Sequence, residues 1–113
     1  MAIKYYEVPE KRQVIAVMNN TQYDGLNKIR KLMHKSGYHF SPMSEREIES
    51  YLMPDDFKVV VTCDERDEYD FEVGKQIAKK RLLANYRKSL DKRMGKFHES
   101  VAQFVINLGS ENF

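Results

Sequence analysis

Tryptophan is absent from this chain, cysteine occurs once, proline three times and glycine five times in 113 residues. A single thiol closes no internal disulfide and gives no paired-thiol metal spacing, so the core alone must hold the fold, as expected in a reducing, cytoplasmic compartment. No window approaches the roughly 18 apolar residues of a membrane span, and the opening MAIKYYEVPEKR lacks the apolar run of a secretory leader, so no membrane partner is expected. The glycines stand singly, which excludes a glycine-rich phosphate cradle. His34, His39 and His98 are scattered without a His-x-x-x-His spacing, and Cys63 closes an apolar strand, where a thiol is ordinarily packing. The acidic run CDERDEYDFE has no glycine-centred EF-hand register and contains Arg66. These absences point away from an enzyme, a metal centre and a cofactor.

Aromatic and aliphatic residues are present in quantity. Seven Tyr and six Phe within an apolar fraction of 42% exceed what a disordered chain carries, and 113 residues suit one modest core, a single domain over residues 1–113. The β-branched run QVIAVM predicts a strand over about 12–18. Pro9 restricts the preceding IKYYEV to a sheet edge, because proline cannot donate to a ladder. Thr21 or Asn20 offers a cap for a helix over about 22–35, with Leu26, Ile29, Leu32 and Met33 on one face and a stop at Ser36-Gly37. Ser44 with Glu47 has the capping-box form for a short helix over about 44–52 that Pro54 ends. FKVVVTC, Phe57 to Cys63, predicts a strand whose three consecutive valines ask for burial on both faces, as in a central strand. The expected fold is α+β: a small sheet covered by two short helices, followed by a long C-terminal amphipathic basic helix.

That last helix organises the rest. Asp70 is a good cap, Glu72 suits the positive helix end, and no proline follows, so a helix can run over about 71–108. It would be roughly 55 Å long, against a radius of gyration of about 13 Å for a compact domain of this size. Either Gly95 breaks it or its far half packs on something else. Leu83, Leu90, Phe97 and Phe104 repeat every seven residues, with Met94, Val101 and Leu108 four residues after the last three of them, the spacing of a helix–helix seam. The seam serves either a homodimer or this chain's own sheet.

Charge is uneven along the chain. Residues 1–70 hold ten basic and thirteen acidic side chains, whereas residues 71–113 hold nine and four, so −3 faces +5. Between Gly74 and Ser100 lie Lys75, Lys79, Lys80, Arg81, Arg87, Lys88, Lys92, Arg93 and Lys96, mostly off the apolar seam. Asn85 and Tyr86 add hydrogen-bonding and stacking groups. A solvated face or a contact with a polyanion, DNA or RNA included, would both use such a pattern; no recognition-helix motif accompanies it. The acidic run before it is expected either to cap and charge the helix start or to pair with basic residues on a partner.

The stretch FKVVVTCDERDEYDFEVGKQIAKKRLL, Phe57 to Leu83, resembles small uncharacterised proteins of Gram-positive bacteria and their phages. They share a strand ending in Cys, an Asp-rich turn, then Asp-x-x-x-Gly-x-x-Ile-Ala leading into a basic helix, here Cys63, Asp67, Asp70, Gly74, Ile77 and Ala78. The resemblance covers about a quarter of the chain and brings no catalytic residue with it. It implies a phage or prophage origin and a bacterial host cytoplasm. The function expected on that footing is a non-enzymatic accessory protein that binds a host protein or nucleoprotein complex and inhibits or modulates a nucleic-acid machine, an anti-CRISPR protein being one example. A direct DNA- or RNA-binding regulator, and an assembly protein oligomerising through the seam, are the readings from other classes.

Overall fold

The computed structural model describes residues 2–36 and 43–111, with 36, 104 and 107–111 described by backbone alone. Gly37 and His39 lie outside the described residues. Strand β1 (Ile3–Val8) turns through a short 3₁₀ segment, Pro9–Lys11, into β2 (Gln13–Asn19). Two helices follow, α1 (Asp24–Ser36) and α2 (Glu45–Tyr51), then β3 (Asp56–Thr62) and the long α3 (Phe71–Glu111). The architecture is α+β, with an antiparallel sheet in the order β1-β2-β3.

By its contacts the chain forms two compact units, residues 1–22 with 54–88 and residues 23–53 with 89–113. In the first unit, register decides which residues share a side of the sheet. Rows Ile3–Met18–Phe57, Tyr5–Ala16–Val59 and Glu7–Val14–Val61 lie on one side, and Lys4–Val17–Lys58, Tyr6–Ile15–Val60 and Val8–Gln13–Thr62 on the other. Val14, Ala16, Met18 and Val61 from the first side join Ala78 and Leu82 of α3 in a buried cluster, with Leu83, Tyr86, Phe71 and Tyr69 packed against it. It is α3 that this cluster records as the sheet's cover, where the sequence expectation gave that role to the short helices.

The expectation for Val59–Val61 is corrected. β3 is an edge strand, β2 is the central one, and Val60 in the middle of the valine run is 44% exposed. Alternation along a strand sends Val59 and Val61 to the α3 side and Val60 to the other, and a run of three identical side chains does not reveal that difference. Thr21 is not a helix cap either. Its hydroxyl donates to the Pro54 carbonyl at 2.6 Å and its N–H to the Asp55 carbonyl at 3.1 Å, tying the end of β2 to the start of β3 in a fully buried position.

In the second unit, Leu26 and Ile29 of α1 and Tyr51 at the end of α2 form a buried cluster, with Met33, Ile48, Met94 and Phe97 against it. α1 tolerates Gly25 because it runs close to the end of α2: a Cβ there would meet the Tyr51 carbonyl oxygen at 3.0 Å. α2 starts as the sequence indicates, with the Glu47 N–H donating to Ser44 Oγ at 3.2 Å.

α3 is unbroken at Gly95. A Cβ built there meets nothing within 4 Å, whereas one at Gly74 falls 2.7 Å from Cγ2 of the buried Val14. Opposite outcomes are expected for one chemical change. Gly95→Ala removes the helix-interior penalty of glycine and raises stability by about 0.5–1 kcal/mol. Gly74→Ala makes the same backbone gain but overpacks a site whose neighbour is a stiff β-branched side chain in the central strand, an effect of about 1–3 kcal/mol that wins. Urea midpoints moving in opposite directions would confirm it; a stabilised Gly74→Ala would show that α3 does not approach β2 this closely.

Candidate partner-binding surface

The start of α3 is fixed by Asp70, whose Oδ1 accepts from the N–H of Glu72 at 2.9 Å and of Val73 at 3.4 Å. From there Gly74, Ala78 and Leu82 recur at four-residue spacing against the sheet, small residues first, so the helix comes close. Once that side is anchored, the other sides of the helix face outward. Lys79, Lys80, Arg81, Asn85, Arg87 and Lys88 are all exposed on it, with Lys80 and Arg87, and likewise Arg81 and Lys88, seven residues apart.

Three of the sequence-predicted contact residues are otherwise engaged. Lys75 is half-buried, its Nζ 5.0 Å from the Tyr5 ring centroid and 5.7 Å from that of Phe71. The Tyr86 ring meets Phe57 edge to face at 5.7 Å, so it is a packing residue. Arg93 donates through Nε to the Leu52 carbonyl at 3.0 Å and through Nη1 to Ser89 Oγ at 2.9 Å, bracing the second unit. A spacing signal marks all three: 75, 82, 86 and 93 follow one another at seven, four and seven residues, the stripe that carries the buried Leu82. Lys92 and Lys96 are exposed, the latter with Nζ 3.5 Å from the Ser50 carbonyl.

Of the seam, Leu83 packs against the sheet cluster and Met94 and Phe97 against the second one, while Leu90 and Val101 are half-buried. The side chains of Phe104 and Leu108 lie outside the described residues.

The cationic face has an electrostatic character that a merely wet helix side lacks. No acidic residue occurs between Glu72 and Asp91. Like charges stand at i,i+4 in Lys75/Lys79, Lys88/Lys92 and Lys92/Lys96, each opposing the helix by about 0.2–0.5 kcal/mol. Selection for helix stability alone favours interleaved glutamates. The five charges from Lys79 to Lys88 fall within about 14 Å of helix, under two Debye lengths of about 8 Å each in physiological salt, so one partner surface meets them together.

Sequence reasoning did not reach Arg12. It adopts a left-handed conformation, φ 53°, that ends the 3₁₀ turn, and its carbonyl accepts from the Cys63 N–H at 2.9 Å. Its guanidinium then reaches the acidic loop, donating to the carbonyls of Asp67 and of Asp64 and to Cys63 Sγ at 3.5 Å. Tyr69 donates to Glu7 Oε1 at 2.8 Å, and desolvation of the phenol, followed by this bond to a carboxylate, pushes its pKa up to about 12. Arg12, Cys63, Asp64, Asp67 and Tyr69 line a cleft of about 620 Å³ with Val73, Ile77 and Arg81. The Cys63 thiol faces the carbonyls of Asp64, Asp67 and Glu68 at 3.5–3.9 Å, a loop-organising position. Among the described residues no group of three or more His, Cys, Asp or Glu side chains is placed to hold a metal ion, and no helix is long and apolar enough to cross a membrane.

No family model matches this chain, and neither a curated protein nor a solved structure does.

Proposed function

We propose that this is a non-enzymatic accessory protein that docks on a nucleic-acid machine of a bacterial host and inhibits or modulates it, as a phage-encoded anti-CRISPR protein would. The observation that carries the reading is the cationic face of α3, Lys79, Lys80, Arg81, Arg87 and Lys88, with no acidic residue interleaved among them along the helix and held rigid because the opposite side of the same helix is locked into the sheet. A rigid array of like charges suits a polyanionic surface, the phosphates of a nucleoprotein complex above all. The seam gives less support to an assembly role, since Leu83, Met94 and Phe97 already pack within the chain.

The test is a charge reversal, Lys79→Glu with Lys80→Glu, Arg87→Glu and Lys88→Glu, in a pull-down from bacterial host lysate with and without nuclease. The expected result is loss of the captured complex with a melting midpoint no lower than that of the wild type, because all four side chains are exposed and the reversals turn the like-charge pairs Lys75/Lys79 and Lys88/Lys92 into opposite-charge ones. Retained capture by the reversed variant would overturn the proposal. Capture that disappears on nuclease treatment of the wild type would instead assign direct nucleic-acid binding.

A further inference from the structure

The side of the sheet turned away from α3 carries a second ordered surface. Its middle row is Tyr6–Ile15–Val60 and the next row is Lys4–Val17–Lys58. The core cluster draws no member from these rows, and Tyr6 is 52% exposed. An antiparallel sheet with one solvated side ordinarily turns polar residues outward; this one turns out an aromatic ring and aliphatic neighbours. Lysines stand on both outer strands one row away, about 10 Å apart across two strand spacings. On the other flank the Gln13 amide donates to Thr62 Oγ1 at 3.2 Å, tying the two strands together there. Within the strands Asp56, beyond Lys58, is the one carboxylate that the register assigns to this side.

We propose that this face binds single-stranded nucleic acid, with a base stacked on Tyr6 against Ile15 and Val60 and the adjoining phosphates met by Lys4 and Lys58. The geometry favours this occupant over a protein. One ring and two or three aliphatic side chains fall well short of the roughly 800 Å² per partner of a stable protein interface. One base stacked on an exposed aromatic, by contrast, contributes about 1–3 kcal/mol, and flanking cations complete the site. A duplex keeps its bases stacked on one another and cannot offer one to Tyr6. The surface lies on the opposite side of the sheet from α3, so the proposal does not rest on the α3 reading, and each can fail alone.

Fluorescence anisotropy of the full chain with a labelled oligothymidine of roughly 12 nucleotides, and with a duplex of equal length, tests it. The single strand is expected to bind more tightly than the duplex. Tyr6→Ala is expected to weaken that binding roughly 5- to 100-fold, while Tyr6→Phe, which keeps the ring, binds as the wild type does. Lys4→Gln and Lys58→Gln are each expected to flatten the dependence of log K on log salt by about 0.7. An exposed site predicts unchanged melting midpoints for all four variants. The proposal is overturned if the single strand does not bind, if Tyr6→Ala binds it as well as wild type, or if only the α3 charge reversal reduces binding. A concentration-dependent dimer that Tyr6→Ala dissolves would also overturn it, giving the face to a second copy.

Discussion

Replacing Leu82 with alanine is expected to lower the unfolding free energy by about 2–5 kcal/mol, a substantial part of the roughly 5–15 kcal/mol that a folded domain usually possesses. Leu82 is 0% exposed and shares its cluster with Val14, Ala16, Met18, Val61 and Ala78. The size of the effect depends on whether the neighbours can close over the lost methyl groups, and here the geometry resists closure. β2 is hydrogen-bonded on both edges, so Ala16 and Met18 cannot lift toward the helix without breaking ladders to β1 and β3. Two turns before, α3 is already in contact with Val14 at Gly74 and cannot sink further. A cavity therefore remains, at about 24 cal/mol per Å³ in addition to the lost transfer term. Chemical denaturation should show a lower midpoint at unchanged slope. A loss below about 1 kcal/mol would mean that the helix relaxes onto the sheet, against the close approach at Gly74. Leu82→Met, close to volume-conserving, should lose less than about 1.5 kcal/mol.

What could be read in the sequence follows the range of the interactions involved. Asp70 and Ser44 were legible as caps because a side chain meeting a backbone N–H two or three residues on needs no knowledge of the rest of the fold. The strand from Gln13 was legible in its β-branched run, whereas the continuity of α3 through Gly95 was not, because a single glycine weakens a helix without setting a local stop. Thr21 was misread because its hydroxyl goes to Pro54, 33 residues away, and that competitor is invisible locally. Arg12 gave no signal because its contacts lie 51 to 55 residues on. The valine run shows the same limit: alternation says that neighbouring residues face opposite ways, but only the placement of α3 says which side is covered. The heptad spacing announced an apolar stripe without announcing its partner. The cationic face was legible in the absence of acids, whereas Lys75, Tyr86 and Arg93 could be separated from it only by placing them on the stripe of Leu82.

That separation also gives the second unit its strongest prediction. Tyr51→Ala is expected to lower stability by about 3–5 kcal/mol, the range for removing a large aromatic from a core. Tyr51 is 4% exposed among Leu26 and Ile29, and its ring meets Phe97 of α3 edge to face, centroids 6.5 Å apart at 76°. Its hydroxyl shares a hydrogen bond with Ser100 Oγ at 3.4 Å, long enough that Tyr51→Phe should lose no more than about 1 kcal/mol. The contact with Phe97 makes the series a test of the seam. If Phe97 serves this chain, Phe97→Ser lowers stability by an amount that does not depend on protein concentration, and combined with Tyr51→Ala it lowers stability by less than the sum of the single losses, since the two rings touch. If Phe97 instead serves a second copy, Phe97→Ser halves the mass seen by light scattering, and the stability of the wild type rises with concentration as mass action requires. The packing of Tyr51 and Phe97 in one cluster predicts the first result, with the mass unchanged.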